Sequence, residues 1–324
     1  MNPLLDRDQG QIARFAADVR QGLGSRPRHL PSSFFYDDLG LALFEAICRL
    51  PWYRITRAET ALVARHGAEI LRAGPGAARI VELGSGSGEK LATLLRASRD
   101  PLVGLDVHLV DASSAALAAS RRTLMEFPDL RVVPHERTYE AGLLEAYREP
   151  CRGRTLVLCL GSNIGNFDPP ARAAFLNAAR QSMSADDALL LGVDLEKAER
   201  DLLLAYDDPL GVTAAFNRNL LVRVNRELGG DFRVDRFAHR ALWRAAEARV
   251  EMHLVSLDEQ AVCVPAAGID LVFSPGETIW TESSYKFTPD SVVAELETAR
   301  FTAVRQWIDE EAGVALTLAA AGSR

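Results

Sequence analysis

The feature that most constrains this chain is an alternation of short apolar runs with helical segments, interrupted once by a glycine-dense turn. ARIVELG (78–84) is a continuous apolar run of strand length, and GSGSGEK (84–90) follows it directly. Further runs of the same kind lie at DVHLVDAS (106–113), RVVPH (131–135), TLVLCLG (155–161) and DALLLGVDL (187–195). Between them, Glu89 to about Ser98 has Leu91, Leu94 and Leu95 at helical spacing, an Ala-rich helix follows Ser113, and Asp168 caps a helix with Pro169 at its first position. Strands apolar on both faces, alternating with helices, predict a doubly wound α/β fold whose mostly parallel sheet is covered on both sides. FTAVRQWID and GVALTLAA read as antiparallel strands that close it.

The flanking sequence follows other rules. Ile12, Phe15, Ala16, Val19 and Leu23 define one face of a helix over 11–24. The segment FFYDDLGLALFEAICRLPWY is unusually aromatic, and Thr56 with Glu59 reads as a capping box for a helix up to about Arg72 that GPG (74–76) ends. After Leu195 a helical stretch runs to about Arg226, broken at DDP, where Asp208 can cap and Pro209 can restart the helix. Strand-like segments follow at 249–256, 261–264, 269–273 and 278–287, and Thr288-Pro289 opens one more helix. The expected division is a sheet-based core at 61–196 and 287–324, and a smaller α+β lobe at 1–60 and 197–286.

Bulk properties exclude several classes. A net charge of −7 and a pI near 5.5 argue against a nucleic-acid partner. Four cysteines without a C-x-x-C pair suit reduced thiols, and six scattered histidines suggest no metal site. No secretory signal and no apolar run of membrane-spanning length is visible, so a cytoplasmic protein is expected.

The glycine turn specifies its ligand by what it lacks. Gly84, Gly86 and Gly88 are spaced G-x-G-x-G, which is neither the dinucleotide fingerprint nor a Walker loop. Glycines at a strand end let a ligand approach the backbone. Lys90 is placed to reach a carboxylate, and Asp111, at the end of the second strand, to reach a ribose diol. A nucleoside joined to an amino acid without phosphate fits all three, which points to S-adenosylmethionine. LGSNIGNF, after the fourth strand, offers the amides of Asn163 and Asn166 to a small polar substrate.

FFYDDLGLALFEAICRLPWY, VELGSGSGEK, LGSNIGNF, AYDDPLGVTAAFNRN, RVEMHL and TESSYKF together cover nearly the whole chain and resemble the S-adenosylmethionine-dependent histidine Nα-methyltransferases of ergothioneine biosynthesis. The resemblance implies a Rossmann-like class I methyltransferase core and a substrate-binding lobe sharing a pocket. It implies Gly84, Ser85, Gly86, Lys90, Asp111, Thr138, Tyr139 and Gly161 at the cofactor. Tyr36, Phe44, Tyr53, Asn166, Tyr206, Met252, Glu282 and Ser284 would stand at the substrate. Asn166 and Tyr206 would hold the carboxylate of histidine, and Glu282 and Ser284 its imidazole. Tyr36, Tyr53 and Asn166 would act in catalysis by positioning, without a dedicated general base. Two places depart from the family pattern: Thr138-Tyr139 stands where an acidic-aromatic pair contacts adenine, and Arg54-Ile55 where relatives tend to have Tyr-Pro.

The implied reaction is up to three methyl transfers to the α-nitrogen of L-histidine, giving hercynine; a monomer is expected. The nearest rival is the same fold acting on another aromatic amino acid, such as a tryptophan derivative. Glu282 and Ser284 favour an azole, because an indole offers one donor and no acceptor. A nicotinamide-dependent oxidoreductase would keep Asp111 but lacks the glycine spacing. A non-catalytic binding protein on the same scaffold is the third possibility.

Overall fold

The computed structural model describes residues 3–72, 77–98, 102–151 and 153–322. They form two compact units: one of residues 54–197 and 285–324, the other of 1–53 and 198–284.

The larger unit is built on seven strands, β1 (Ala77–Leu83), β2 (Asp106–Asp111), β3 (Arg131–Glu136), β4 (Arg154–Cys159), β5 (Ala188–Asp194), β6 (Thr302–Asp309) and β7 (Val314–Ala320). Their order across the sheet is β6-β7-β5-β4-β1-β2-β3. β1 to β5 are parallel to one another, while β7 runs antiparallel to both β5 and β6. The antiparallel strand is therefore one place in from the edge, and β6 at the edge runs with the parallel set. Six helices accompany the sheet: α1 (Ile55–Arg72), α2 (Glu89–Arg96), α3 (Ser114–Leu124), α4 (Tyr139–Arg148), α5 (Pro169–Ser182) and α6 (Pro289–Thr298). Val81, Leu83, Val157, Leu189 and Leu191 pack with Leu143, Phe175 and Leu176 of α4 and α5 in one buried cluster. By the two-residue period of a strand, Ile80 and Glu82 face the other side of β1.

Local signals explain several boundaries. Asp168 Oδ1 accepts from Ala171 N at 2.8 Å, as its place before Pro169 predicts. The Thr56/Glu59 capping box does not form: α1 begins at Ile55 and the Glu59 side chain is turned inward, where it accepts from Gly161 N. The GPG turn at 74–76 lies outside the described residues. Helix α4 was not anticipated from the sequence.

The smaller unit combines the helices Pro3–Gly24, Asp38–Arg49, Glu199–Tyr206 and Val212–Leu228 with a sheet of four strands. Its order is Arg28–His29, Thr278–Tyr285, Arg249–Ser256, Phe237–Arg244. The last of these was missed in the sequence, because FAHRALWR mixes charged and apolar residues without a clean alternation. A separate hairpin joins Gln260–Val264 to Ile269–Phe273. The first helix is longer than expected and buries Phe15, Val19 and Leu23, whereas Ile12 is exposed. Asp208 accepts backbone N–H bonds from Leu210, Val212 and Thr213, so it caps the helix starting at Val212, with Pro209 left in the preceding turn.

Candidate active site

In the larger unit, the chain leaves β1 toward β2 on one side and leaves neighbouring β4 toward β5 on the other. Ligands of open α/β sheets sit beyond the strand ends at such a switch point. Gly84 follows β1 and Gly161 follows β4. Gly84 has φ +78°, and a Cβ on it would lie 2.4 Å from Asn163 Nδ2 and 2.9 Å from Tyr139 Oη. Only glycine lets the loop after β1 close against these two side chains. A Cβ on Gly86 would meet nothing within 4 Å, so the middle of the loop borders open space.

Asp111 ends β2 and is tied to the loop. Its Oδ2 accepts from Gly86 N at 3.3 Å and its Oδ1 from Ser113 N at 2.9 Å. Burial pushes its carboxyl above the usual range, and those backbone donors oppose the shift. Tyr139 opens α4, edge-on to Phe167 and Phe175. Burial drives the ionisation of its phenol far upward, so it stays neutral. Thr138 is the backbone N-cap of α4 and makes no side-chain cap bond.

Two acidic residues that the sequence reading did not select complete this region. Glu59 of α1 is fully buried. Its carboxylate accepts from Lys90 Nζ and, with both oxygens at 2.8 Å, from Gly161 N. Glu82, the penultimate residue of β1, is buried as well. Desolvation lifts its pKa to about 8; Lys90 opposes this, and Asp111 and Glu59 add to it. The visible signal for Glu82 was an acid near the end of a largely apolar strand. Glu59 gave a misleading one, because its spacing from Thr56 mimics a cap.

The smaller unit gathers aromatic and polar side chains from distant segments. Tyr36 lies edge-on to Phe44 at 5.4 Å and to Phe216 at 5.7 Å between ring centroids. Phe44 is 6.2 Å from Tyr53, and Tyr53 is 6.5 Å from Tyr206. Asp37 anchors this segment: it accepts from Gly40 N at 2.8 Å, Asn219 Nδ2 at 2.7 Å and Arg226 Nη2 at 2.6 Å. Tyr206 Oη donates to Ser284 Oγ at 2.7 Å. His239, missed in the sequence, sits beneath. Asn217 Nδ2 donates to its Nδ1 at 2.9 Å, which leaves Nε2 to donate to the Tyr206 carbonyl at 2.7 Å. Burial holds the imidazole below its usual pKa, in keeping with that neutral form. Glu282 is half-buried, and Trp280 Nε1 donates to its backbone carbonyl at 2.8 Å. Met252 is buried. Asn166 closes the short 3-10 turn Asn163–Asn166 in the larger unit and is exposed.

The residues fit the cofactor expected of the glycine turn. Two buried atoms there, Glu82 Oε2 and Ser85 Oγ, have no hydrogen-bond partner among the described residues, and Lys90 and Asp111 flank the loop. The amino-acid portion of S-adenosylmethionine supplies both donors and acceptors for such groups, and Asp111 suits its ribose. Among the described residues no cluster of His, Cys, Asp and Glu could hold a metal. No described helix is long and apolar enough to cross a membrane.

A seven-stranded sheet with one reversed strand and a phosphate-free glycine turn defines a class I S-adenosylmethionine-dependent methyltransferase. The chain belongs to the histidine-specific, S-adenosylmethionine-dependent methyltransferase family, whose model matches residues 15–321. It is 42% identical over 309 residues to the histidine N-alpha-methyltransferase of Mycolicibacterium smegmatis, covering 93% of each chain. It is 43% identical over 321 residues to that of Mycobacterium tuberculosis, covering 98% of this chain and 97% of the relative. Ergothioneine biosynthesis protein 1 of Neurospora crassa is 33% identical over 223 residues, 64% of this chain and 24% of that protein.

Proposed function

We propose that this enzyme transfers methyl groups from S-adenosylmethionine to the α-amino nitrogen of L-histidine, up to three times, yielding hercynine for ergothioneine biosynthesis. The observation that carries this reading is the near full-length identity to relatives named histidine N-alpha-methyltransferase. In this reading the unit of 54–197 and 285–324 binds the cofactor and the other unit supplies most of the substrate contacts. The enzyme works as a cytoplasmic monomer on a small molecule.

The cofactor supplies an electrophilic methyl group. The chain must present an unprotonated nitrogen to it, at about 3–3.5 Å and in line with the bond that breaks. An α-amino group is largely protonated at neutral pH. The phenols of Tyr36 or Tyr53, or a water, pass its proton to solvent, so no dedicated base is assigned. Asn166 and Tyr206 hold the carboxylate of histidine, the Tyr206 hydroxyl turning its hydrogen from Ser284 Oγ to that anion when substrate binds. Glu282 accepts from one ring N–H, the Ser284 hydroxyl serves the other nitrogen, and Met252 packs beside the ring. Successive methylation ends in a permanent cation. Aromatic faces such as Tyr36, Phe44 and Tyr53 favour that head by about 0.5–2 kcal/mol.

The test is mass spectrometry of histidine incubated with protein and S-adenosylmethionine, with tryptophan and its derivatives in parallel. Successive methyl increments on histidine alone are expected. Increments on an indole substrate in place of histidine overturn the reading in favour of the rival amino acid.

A further inference from the structure

Glu59 is placed in a way that its role in the fold does not explain. It belongs to α1, 31 residues before Lys90 and 102 before Gly161, yet its carboxylate binds both. It is fully buried, whereas the Lys90 side chain is 20% exposed. The space it fills is reserved by a third position: a Cβ on Gly192 of β5 would lie 1.8 Å from Glu59 Oε1. Lys90 in turn is held over the loop after β4, since a Cβ on Gly161 would come 3.1 Å from its Nζ. Four segments far apart in sequence therefore converge to fix one ammonium group at the switch point.

A buried carboxylate is costly, and a salt bridge of this kind is weak evidence for stability by itself. What such a pair provides is direction. A lysine is a flexible point charge with large rotamer freedom, and ordering it when a ligand binds lowers affinity. We propose that Glu59 is a positioning residue for the cofactor: it pre-orders Lys90 and the Gly161 N–H so that Lys90 receives the carboxylate of the cofactor's amino-acid portion. This rests on the assignment of Lys90 to that carboxylate, and the experiment separates the two claims.

Two ligands are titrated by calorimetry. S-adenosylhomocysteine carries the amino-acid portion, and methylthioadenosine has the same nucleoside and thioether but lacks both the carboxylate and the ammonium of that portion. Lys90→Met tests the underlying assignment. It should weaken S-adenosylhomocysteine at least tenfold and leave methylthioadenosine within twofold. Glu59→Gln keeps the shape of the side chain and removes its charge. It should weaken S-adenosylhomocysteine about tenfold, spare methylthioadenosine, and add nothing further in the Lys90→Met background. Equal weakening of both ligands by Glu59→Gln means a merely structural role and overturns the proposal. So does tighter binding of S-adenosylhomocysteine, because Glu59 would then only screen Lys90. If Lys90→Met fails to separate the ligands, the assignment of Lys90 itself is overturned, whatever Glu59→Gln does.

Discussion

Tyr206 donates its phenolic hydrogen to Ser284 Oγ at 2.7 Å, across 78 residues of sequence and inside the buried part of the smaller unit. Two side chains proposed to hold opposite ends of the same histidine are thus joined to each other. A net hydrogen bond is worth about 1 kcal/mol, and a buried orphan costs about 1–3 kcal/mol. Ser284→Ala should raise the KM for histidine five- to tenfold, Tyr206→Phe similarly, and the double variant less than the product of the two. Steady-state kinetics measures this, with cofactor affinity as the control that should not move.

In the proposed function, Glu282 is the residue that selects the imidazole side chain. A carboxylate accepting from an imidazole N–H forms a charge-assisted bond of roughly 1.5–3 kcal/mol. Glu282→Ala should weaken histidine by about ten- to a hundredfold while S-adenosylhomocysteine binds as before. Unchanged histidine binding in a calorimetric titration would remove Glu282 from the substrate site.

Gly84 and Gly86 both have positive φ, but only Gly84 also faces Asn163 and Tyr139 at contact distance. An alanine in the left-handed region costs about 1–2 kcal/mol on its own. Gly84→Ala should therefore lower Tm distinctly more than Gly86→Ala, since only the former must also displace two partly buried side chains. Equal losses in a thermal melt would mean the loop relaxes freely.

His108 supplies a pH dependence. Its Nδ1 is 2.8 Å from His135 Nε2, and burial pulls its pKa down to about 4, with Arg79 and His135 adding to the shift and Glu149 and Asp106 opposing it. A folded pKa below the unfolded one means the native state binds fewer protons. Stability is then fully present above about pH 6.5 and is lost as pH falls toward 4. His108→Gln should flatten urea-unfolding stability across that window. A slope unchanged by the substitution would assign the acid sensitivity to other groups.

Asp37 joins two helices, Asp38–Arg49 through Gly40 and Val212–Leu228 through Asn219 and Arg226. Asp37→Ala removes a helix cap, worth about 0.5–2 kcal/mol, and leaves the Asn219 amide without this acceptor. A fall in unfolding free energy of about 2–3 kcal/mol is expected from denaturant titration, with a higher KM for histidine as Tyr36 loses its anchor.

Local chemistry made much of this protein legible. The strands from Ala77 to Asp194, the cap at Asp168 and the glycine turn follow from periodicity and turn preferences acting over a few residues, and so they can be read in one dimension. Motif wording reached further, because the aromatic segment near Tyr36 and the TESSYKF run are unusual enough to mark a family. The strand Phe237–Arg244 escaped, since its neighbour in the sheet, not its own pattern, makes it a strand. Glu59 and His239 escaped for a related reason. The same carboxylate at Glu59 could cap its own helix or reach Lys90 and Gly161, and nothing within α1 distinguishes these. Sequence by itself determined the strands of the parallel sheet, most of the helices between them, and the kind of ligand that a glycine turn without a phosphate-binding spacing can hold. Tertiary structure alone decided which buried charges face one another, because burial and partner distance are set by segments a hundred residues apart.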